Sequence, residues 1–253
     1  MILIKTKKEI DYIRESCKIV AETLQLVKSK IEIGVTTKEL DLIAEDYIRS
    51  NNSIPAFKGY SQGNGVKFPA SLCTSVNDQV VHGIPGDYKL REGDLISIDV
   101  GVLKNNYYGD AAITIGVGRV SEIKQKLMEV TERSLYIGIE QAMEFNRLQD
   151  ISFAIQSYVE SNGFSVVRDL CGHGVGKYLH EDPSIPNYGK KGVGPILKRG
   201  MTLAIEPMVN IGDWKITVAS DGWTIKTEDG TDSAHFEHTI LITDKEPEIL
   251  TVC

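Results

Sequence analysis

The sequence predicts an α+β fold built from two similar halves packed as one domain, and three observations predict it. Two pairs of helical patterns lie in matching places along the chain, and each pair is followed by apolar strands. A turn, a strand and a terminal acid then recur as "LREGDLISID" at 90–99 and "LKRGMTLAIE" at 197–206. Helix pair, turn, strand and carboxylate in one shared order mark an internal repeat. The halves run roughly 1–120 and 121–253, related by a pseudo-twofold axis. No low-complexity linker parts them, so 1–253 reads as a single unit.

The elements follow in order. Thr6-Lys7-Lys8-Glu9 has capping-box spacing, in which hydroxyl and carboxylate each satisfy a backbone N–H left open at a helix start. Ile10, Ile13, Cys17, Val20, Leu24 and Val27 then fall at helical intervals. Thr36-Thr37-Lys38-Glu39 opens a second helix with Leu40, Ile43, Ala44 and Tyr47 on one face. Ser121 starts a third, carrying Ile123, Leu127, Val130 and Ile137, and a shorter fourth spans about 149–161. The second and fourth helices end alike, in "YIRSN" at 47–51 and "YVESN" at 158–162.

Composition narrows the function. Apolar residues make up 42% and charged residues 25% of 253, an ordinary globular balance. The formal charge of −7 argues against a general nucleic-acid or anionic-membrane partner. Cys17, Cys73, Cys171 and Cys253 lie far apart with no CxxC pair, which suits reduced thiols in a cytoplasmic protein. No stretch reads as a signal peptide or membrane span.

Strand alternation isolates a set of acids. In "LISIDVGV", Ile96, Ile98, Val100 and Val102 share one face, and Ser97 and Asp99 the other. In "TLAIEPM", Ala204 and Glu206 oppose Leu203 and Ile205. In "AHFEHTILI", Glu237 and Thr239 oppose Phe236, Ile240 and Ile242. Asp110, in "YYGDAA", follows Asp99 at a distance that a tight hairpin would fold back beside it. Taken singly, each acid is simply solvated on an open sheet face. If the halves pair about their axis, four carboxylates converge and repel unless a cation neutralises them. With one histidine, the set suits two divalent ions about 3.5–4 Å apart.

The five histidines separate less cleanly. His173 lies between glycines, which leave backbone room for a close approach to a metal. His180, before Glu181 and Asp182, reads as a loop histidine, and His82 sits at a turn after an apolar run, where functional loop residues gather. His235 shares a strand face with Glu237, which leaves a second ligand or, more simply, a solvent-exposed residue. His238 falls on the aliphatic face as a satisfied core histidine. HExxH is absent, which excludes a helical zincin on motif grounds.

The ordered set Asp99, Asp110, His173, Glu206, Glu237, embedded in "IDVG", "GDAA", "GHGVG", "AIEPM" and "FEHT", resembles the methionine aminopeptidases of peptidase family M24. "SVNDQVVHGIP" and "KYLHEDPSIPNYG" resemble the type I branch, without the long insertion of type II or the Cys-rich extension of eukaryotic type I enzymes. The resemblance covers nearly the whole chain. It implies the pita-bread fold and removal of the initiator methionine from nascent chains with a small second residue, by attack of metal-activated water. It implies two divalent ions (cobalt, manganese, iron(II) or zinc), with Asp110 and Glu237 bridging, Asp99 on one ion, and His173 with Glu206 on the other. Glu206 would also shuttle the proton. His82 and His180 would hydrogen-bond the scissile amide and the intermediate.

Tyr60, Phe68, Cys73 and Trp223 match positions of the family's apolar methionine pocket, with Leu179 standing where many relatives carry Phe. The 60–68 segment is a few residues longer than the common bacterial form. The resemblance further implies action near the ribosome. A monomer is expected, since the duplication already supplies the symmetry a dimer would.

Overall fold

The computed structural model describes residues 2–61 and 65–253. Both capping boxes form as their spacing requires. They open α1 (Lys7–Lys28) and α2 (Thr37–Ser50), after which come β1 (Ile54–Pro55), β2 (Leu72–Val76), β3 (Gln79–Val81), β4 (Leu95–Lys104) and β5 (Tyr107–Gly116). The second half supplies α3 (Glu122–Glu140), α4 (Leu148–Ser161), β6 (Ser165–Val166), β7 (Cys171–Gly174), β8 (Glu181–Pro186), β9 (Thr202–Ile205) and β10 (Met208–Asn210). It closes with β11 (Ile216–Val218), β12 (Ile225–Thr227), β13 (Ser233–His235), β14 (Glu237–Leu241) and β15 (Glu248–Ile249). Among the described residues no helix is long and apolar enough to cross a membrane.

One nine-stranded sheet joins the halves in the order β1-β4-β5-β14-β9-β7-β8, with β2 on β4 and β15 on β14. Its helix-bearing face carries two cores. Ile96, Ile98, Val100 and Val102 pack under Val20, Leu24, Leu40 and Ile48 of α1 and α2. Leu203, Ile205, Ile240 and Ile242 pack under Leu127, Leu135, Ile151 and Ile155 of α3 and α4. The aliphatic strand faces are thereby spent on helices, which leaves the acid-bearing faces for the interior between the halves.

The sequence repeat has its counterpart in backbone hydrogen bonds. Gly93 and Gly200 both adopt φ +88°, a left-handed conformation that glycine reaches without Cβ strain. Gly93 N–H donates to Val117 O and Gly200 N–H to Ile242 O, each at 2.9 Å. Val117 N–H returns to Asp94 O at 2.8 Å and Ile242 N–H to Met201 O at 2.9 Å. The repeated "SN" is a helix stop: Asn51 Nδ2 donates to Tyr47 O (2.9 Å) and Asn162 Nδ2 to Tyr158 O (2.8 Å).

The third helix differs from expectation in its facing. Ile123 is 46% exposed, and the buried face runs through Leu127, Val130, Thr131, Ser134, Leu135, Gly138 and Ile139. Gly138 explains the rotation, because a Cβ there would stand 2.7 Å from Ile155 Cδ1. The helix turns its smallest residue onto α4, and Ile137 moves off centre.

The first capping box gives a stability prediction. Thr6→Ala should destabilise the protein by about 1 kcal/mol in urea titration, the usual loss for an N-cap hydroxyl. Glu9 is held below the ordinary 4.5, first by the Thr6 backbone N–H, then by its hydroxyl. A lowered folded pKa means that Glu9 contributes stability above that value and loses it as pH falls through the folded one. Wild type and Glu9→Gln should therefore converge in stability on acidification below about pH 4.5.

Candidate metal centre and substrate cleft

Strand register assembles the acids. The β4–β5 hairpin turns through Asn105 and Asn106 at φ +51° and +63°, the pair of left-handed residues that a two-residue I′ turn demands. It pairs Asp99 with Ala112 and Gly101 with Asp110, so the two aspartates share a face on the diagonal. Ala112 also pairs with Glu237 of β14, giving the row Asp99, Ala112, Glu237 across three strands. Ala204 of β9 stands in the same way between Thr239 and His173. Thr239 Oγ1 donates to Asp110 O at 2.8 Å and ties the rows together. Glu206 follows the end of β9 and meets His173, Nε2 to Oε1, at 3.5 Å.

All five sequence-selected residues are thus brought together. Ligand atoms of Asp110, His173 and Glu237 lie within 4.8 Å of one another. Asp99, Asp110, His173 and Glu237 are buried, and Glu206 keeps 14% of its side chain exposed. Asp99 Oδ1, Asp110 Oδ1 and Glu237 Oε1 have no hydrogen-bond partner among the described residues. Burial raises Asp99 to about 7. Burial and the neighbouring carboxylates raise Asp110, Glu206 and Glu237 well above the carboxylate range. Burial also lowers His173 to about 3, with His180 adding to the effect. Its Nδ1 lies 2.9 Å from Gly174 O, so an Nδ1–H donor there turns the Nε2 lone pair toward the acids. Partnerless buried oxygens beside a neutral imidazole fit divalent cations.

The glycines of "GHGVG" are steric requirements. A Cβ at Gly172 would collide with Ala204 O, and one at Gly174 with Asp182 O, both backbone atoms that cannot swing aside. Strand crowding therefore delivers His173 to the centre.

A cleft of about 450 Å³ opens beside the acids. Phe68, Cys73, Leu179 and Trp223 form one apolar cluster with half-buried Tyr60 against it. Phe68 and Trp223 meet edge to face at 5.3 Å between centroids. His180 stands at the mouth, its Nδ1 2.7 Å from Tyr60 OH and its ring 4.4 Å from that of His173. His82 holds φ +59° and turns its ring toward Trp223 at 6.2 Å. Burial lowers His82 to about 4. The middle of the longer 60–68 segment, 62–64, lies outside the described residues.

Sequence reasoning missed Phe57 and Tyr108, which join the apolar cluster. Phe57 left one signal, an aromatic three residues before Tyr60. His235 needs correction. It is 1% exposed rather than on the surface, because β13 pairs with β10 and turns the ring inward, where Nε2 lies 3.6 Å from Glu206 Oε2. Alternation with Glu237 had already placed it on the acid face. His238 is half-buried, with Nδ1 2.8 Å from Thr251 Oγ1 and Nε2 3.4 Å from Tyr136 OH.

Comparison with known proteins agrees in extent. The model of metallopeptidase family M24 matches residues 11–244. A methionine aminopeptidase of Clostridium perfringens is 54% identical over 100% of this chain and 99% of its own length. The crystal structure of a methionine aminopeptidase from Thermotoga maritima is 47% identical, with a TM-score of 0.97 and full coverage of both chains. A prolidase from Pyrococcus furiosus is 25% identical, with a TM-score of 0.79, and this chain spans 65% of it. The pita-bread fold is common to these structures, and the chain belongs to metallopeptidase family M24, in the type I methionine aminopeptidase branch that its motifs resemble.

Proposed function

We propose that the chain hydrolyses the peptide bond after an N-terminal methionine, preferring a small second residue, with two divalent ions at the acid-histidine centre. The observation that carries this reading is one cleft holding partnerless buried carboxylate oxygens beside an apolar, sulfur-bearing pocket. Asp99, Asp110, His173, Glu206 and Glu237 would hold the ions. When bound, the ions supply Lewis acidity, lowering the pKa of water and polarising the scissile carbonyl. Manganese, iron(II), cobalt and zinc all suit oxygen-rich ligation with one imidazole.

The protein's own residues do the rest. Glu206, largely buried at the cleft with 14% of its side chain exposed, would accept a proton from the attacking water and return it to the leaving amine. His180, its pKa lowered by partial burial and its Nδ1 2.7 Å from Tyr60 OH, presents its ring to the bound peptide. His82 would hydrogen-bond the scissile amide. Phe68, Cys73, Leu179 and Trp223 exclude water and offer aromatic edges and sulfur to the thioether.

In the same reading, 1–253 acts as one catalytic domain of two halves, a monomer in the cytoplasm working on nascent chains near the ribosome. The test is release of methionine from Met-Ala-Ser with added divalent ion, beside Ala-Pro as an X-Pro substrate. Methionine release without Ala-Pro cleavage supports the reading, and the reverse pattern rejects it.

A further inference from the structure

The N-terminal tail reaches the substrate cleft through a buried ion pair. Lys5 Nζ lies 2.6 Å from Glu181 Oε2, with 4% and 3% of the two side chains exposed. The tail is fixed at the same point by Lys5 N–H donating to Gly200 O at 2.8 Å. Glu181 uses its other oxygen, Oε1, to accept from Tyr178 N–H at 3.0 Å. A single carboxylate therefore ties the tail to the turn that carries Leu179 and His180, and Glu181 is the residue directly after His180.

The turn is shaped around the lysine. A Cβ at Gly176 would stand 2.5 Å from Lys5 Cε and 3.1 Å from Glu181 Oε1, so glycine there makes room for the lysine stem. Gly176 O accepts from Tyr108 N–H at 2.7 Å, which anchors the other side of the turn to β5. Two charges buried this deeply contribute little net stability, because desolvation offsets their attraction. Removing only one of them leaves the other stranded. Such a pair is better suited to setting geometry than to holding a fold together.

We infer that Lys5 is a positioning residue for the peptidase reaction, acting through Glu181 to hold the 176–181 turn so that His180 and Leu179 meet the substrate. The inference rests on the proposed role of His180. Lys5→Met alone strands a buried carboxylate and can unfold the chain, so the decisive variant is Lys5→Met/Glu181→Gln, which removes both charges at nearly constant shape. Lys5→Arg serves as the conservative rescue and His180→Ala as the control.

The measurements are kcat and KM on Met-Ala-Ser, the thermal midpoint, and imidazole NMR of the five histidines. Misplacing a reacting group's partner by a fraction of its contact distance lowers turnover by about tenfold to a hundredfold. The double variant should show such a fall, mainly in kcat, at a midpoint near wild type. Its His180 resonances should move while those of His238 stay in place, and Lys5→Arg should restore most of the activity. A folded double variant with turnover within about twofold of wild type, while His180→Ala is inactive, overturns the role of Lys5 alone. Full activity in His180→Ala overturns the role given to His180, and this inference with it.

Discussion

Glu206→Gln should leave a folded protein that no longer turns over. The amide has the shape of the carboxylate but takes up no proton at neutral pH, and proton transfer by a placed side chain is worth about 10²–10⁴-fold in rate. In the proposed reading Glu206 is also one of the five residues that would hold the ions, so the variant should hold less metal at a given free concentration. Peptide turnover, metal content after dialysis and the thermal midpoint check the three effects separately. Wild-type cleavage by Glu206→Gln would remove the basis for the assigned mechanism.

Asp110→Asn should change the sign of its effect with metal. In the metal-free protein Asp110 is buried, with its carboxyl pushed well up by burial and then by Glu237 and Asp99. A carboxyl raised in the folded state binds a proton on folding, so the stability tied to it is complete below the ordinary 3.8 and declines as pH rises toward the folded value. The amide carries no such penalty, so metal-free Asp110→Asn should melt above metal-free wild type, by a margin that grows with pH.

Divalent ion reverses the order. At about 100 times the dissociation constant, binding adds roughly 2.7 kcal/mol to the wild type. For a chain of this size that raises the midpoint by roughly 5–10 °C. Asp110→Asn, having lost one of the carboxylates proposed to hold the ions, should gain little. Calorimetry with chelator and with manganese reads both orders, and a variant that gains as much as wild type would remove Asp110 from the ligand set.

How much was legible beforehand depended on the range of the interaction. The capping boxes at Thr6 and Thr36 are satisfied within three residues, and both form. The acids were legible because strand alternation is local and the repeat supplied the pairing of halves. His235 was misjudged because its burial comes from β10, a strand contributed from elsewhere in the chain. The facing of α3 depended on one glycine against Ile155 of another helix. Phe57 and Tyr108 join the apolar cluster through the paths of β1 and β5, which no periodicity reveals. Lys5 was hidden most completely, since its partner is Glu181, far along the chain.

Ala112 and Ala204 have a consequence of their own. Ala112 stands in register between Asp99 and Glu237, and Ala204 between His173 and Thr239, each with only a methyl group as side chain. In the proposed reading, the room for ions is bounded by two residues that offer no donor, and replacing either alanine by valine should narrow it with every acid and histidine intact. Chemical competence here is specified twice, once by the groups that reach inward and once by the groups too short to do so. A survey of relatives that counts only donors would mistake a filled chamber for a working one.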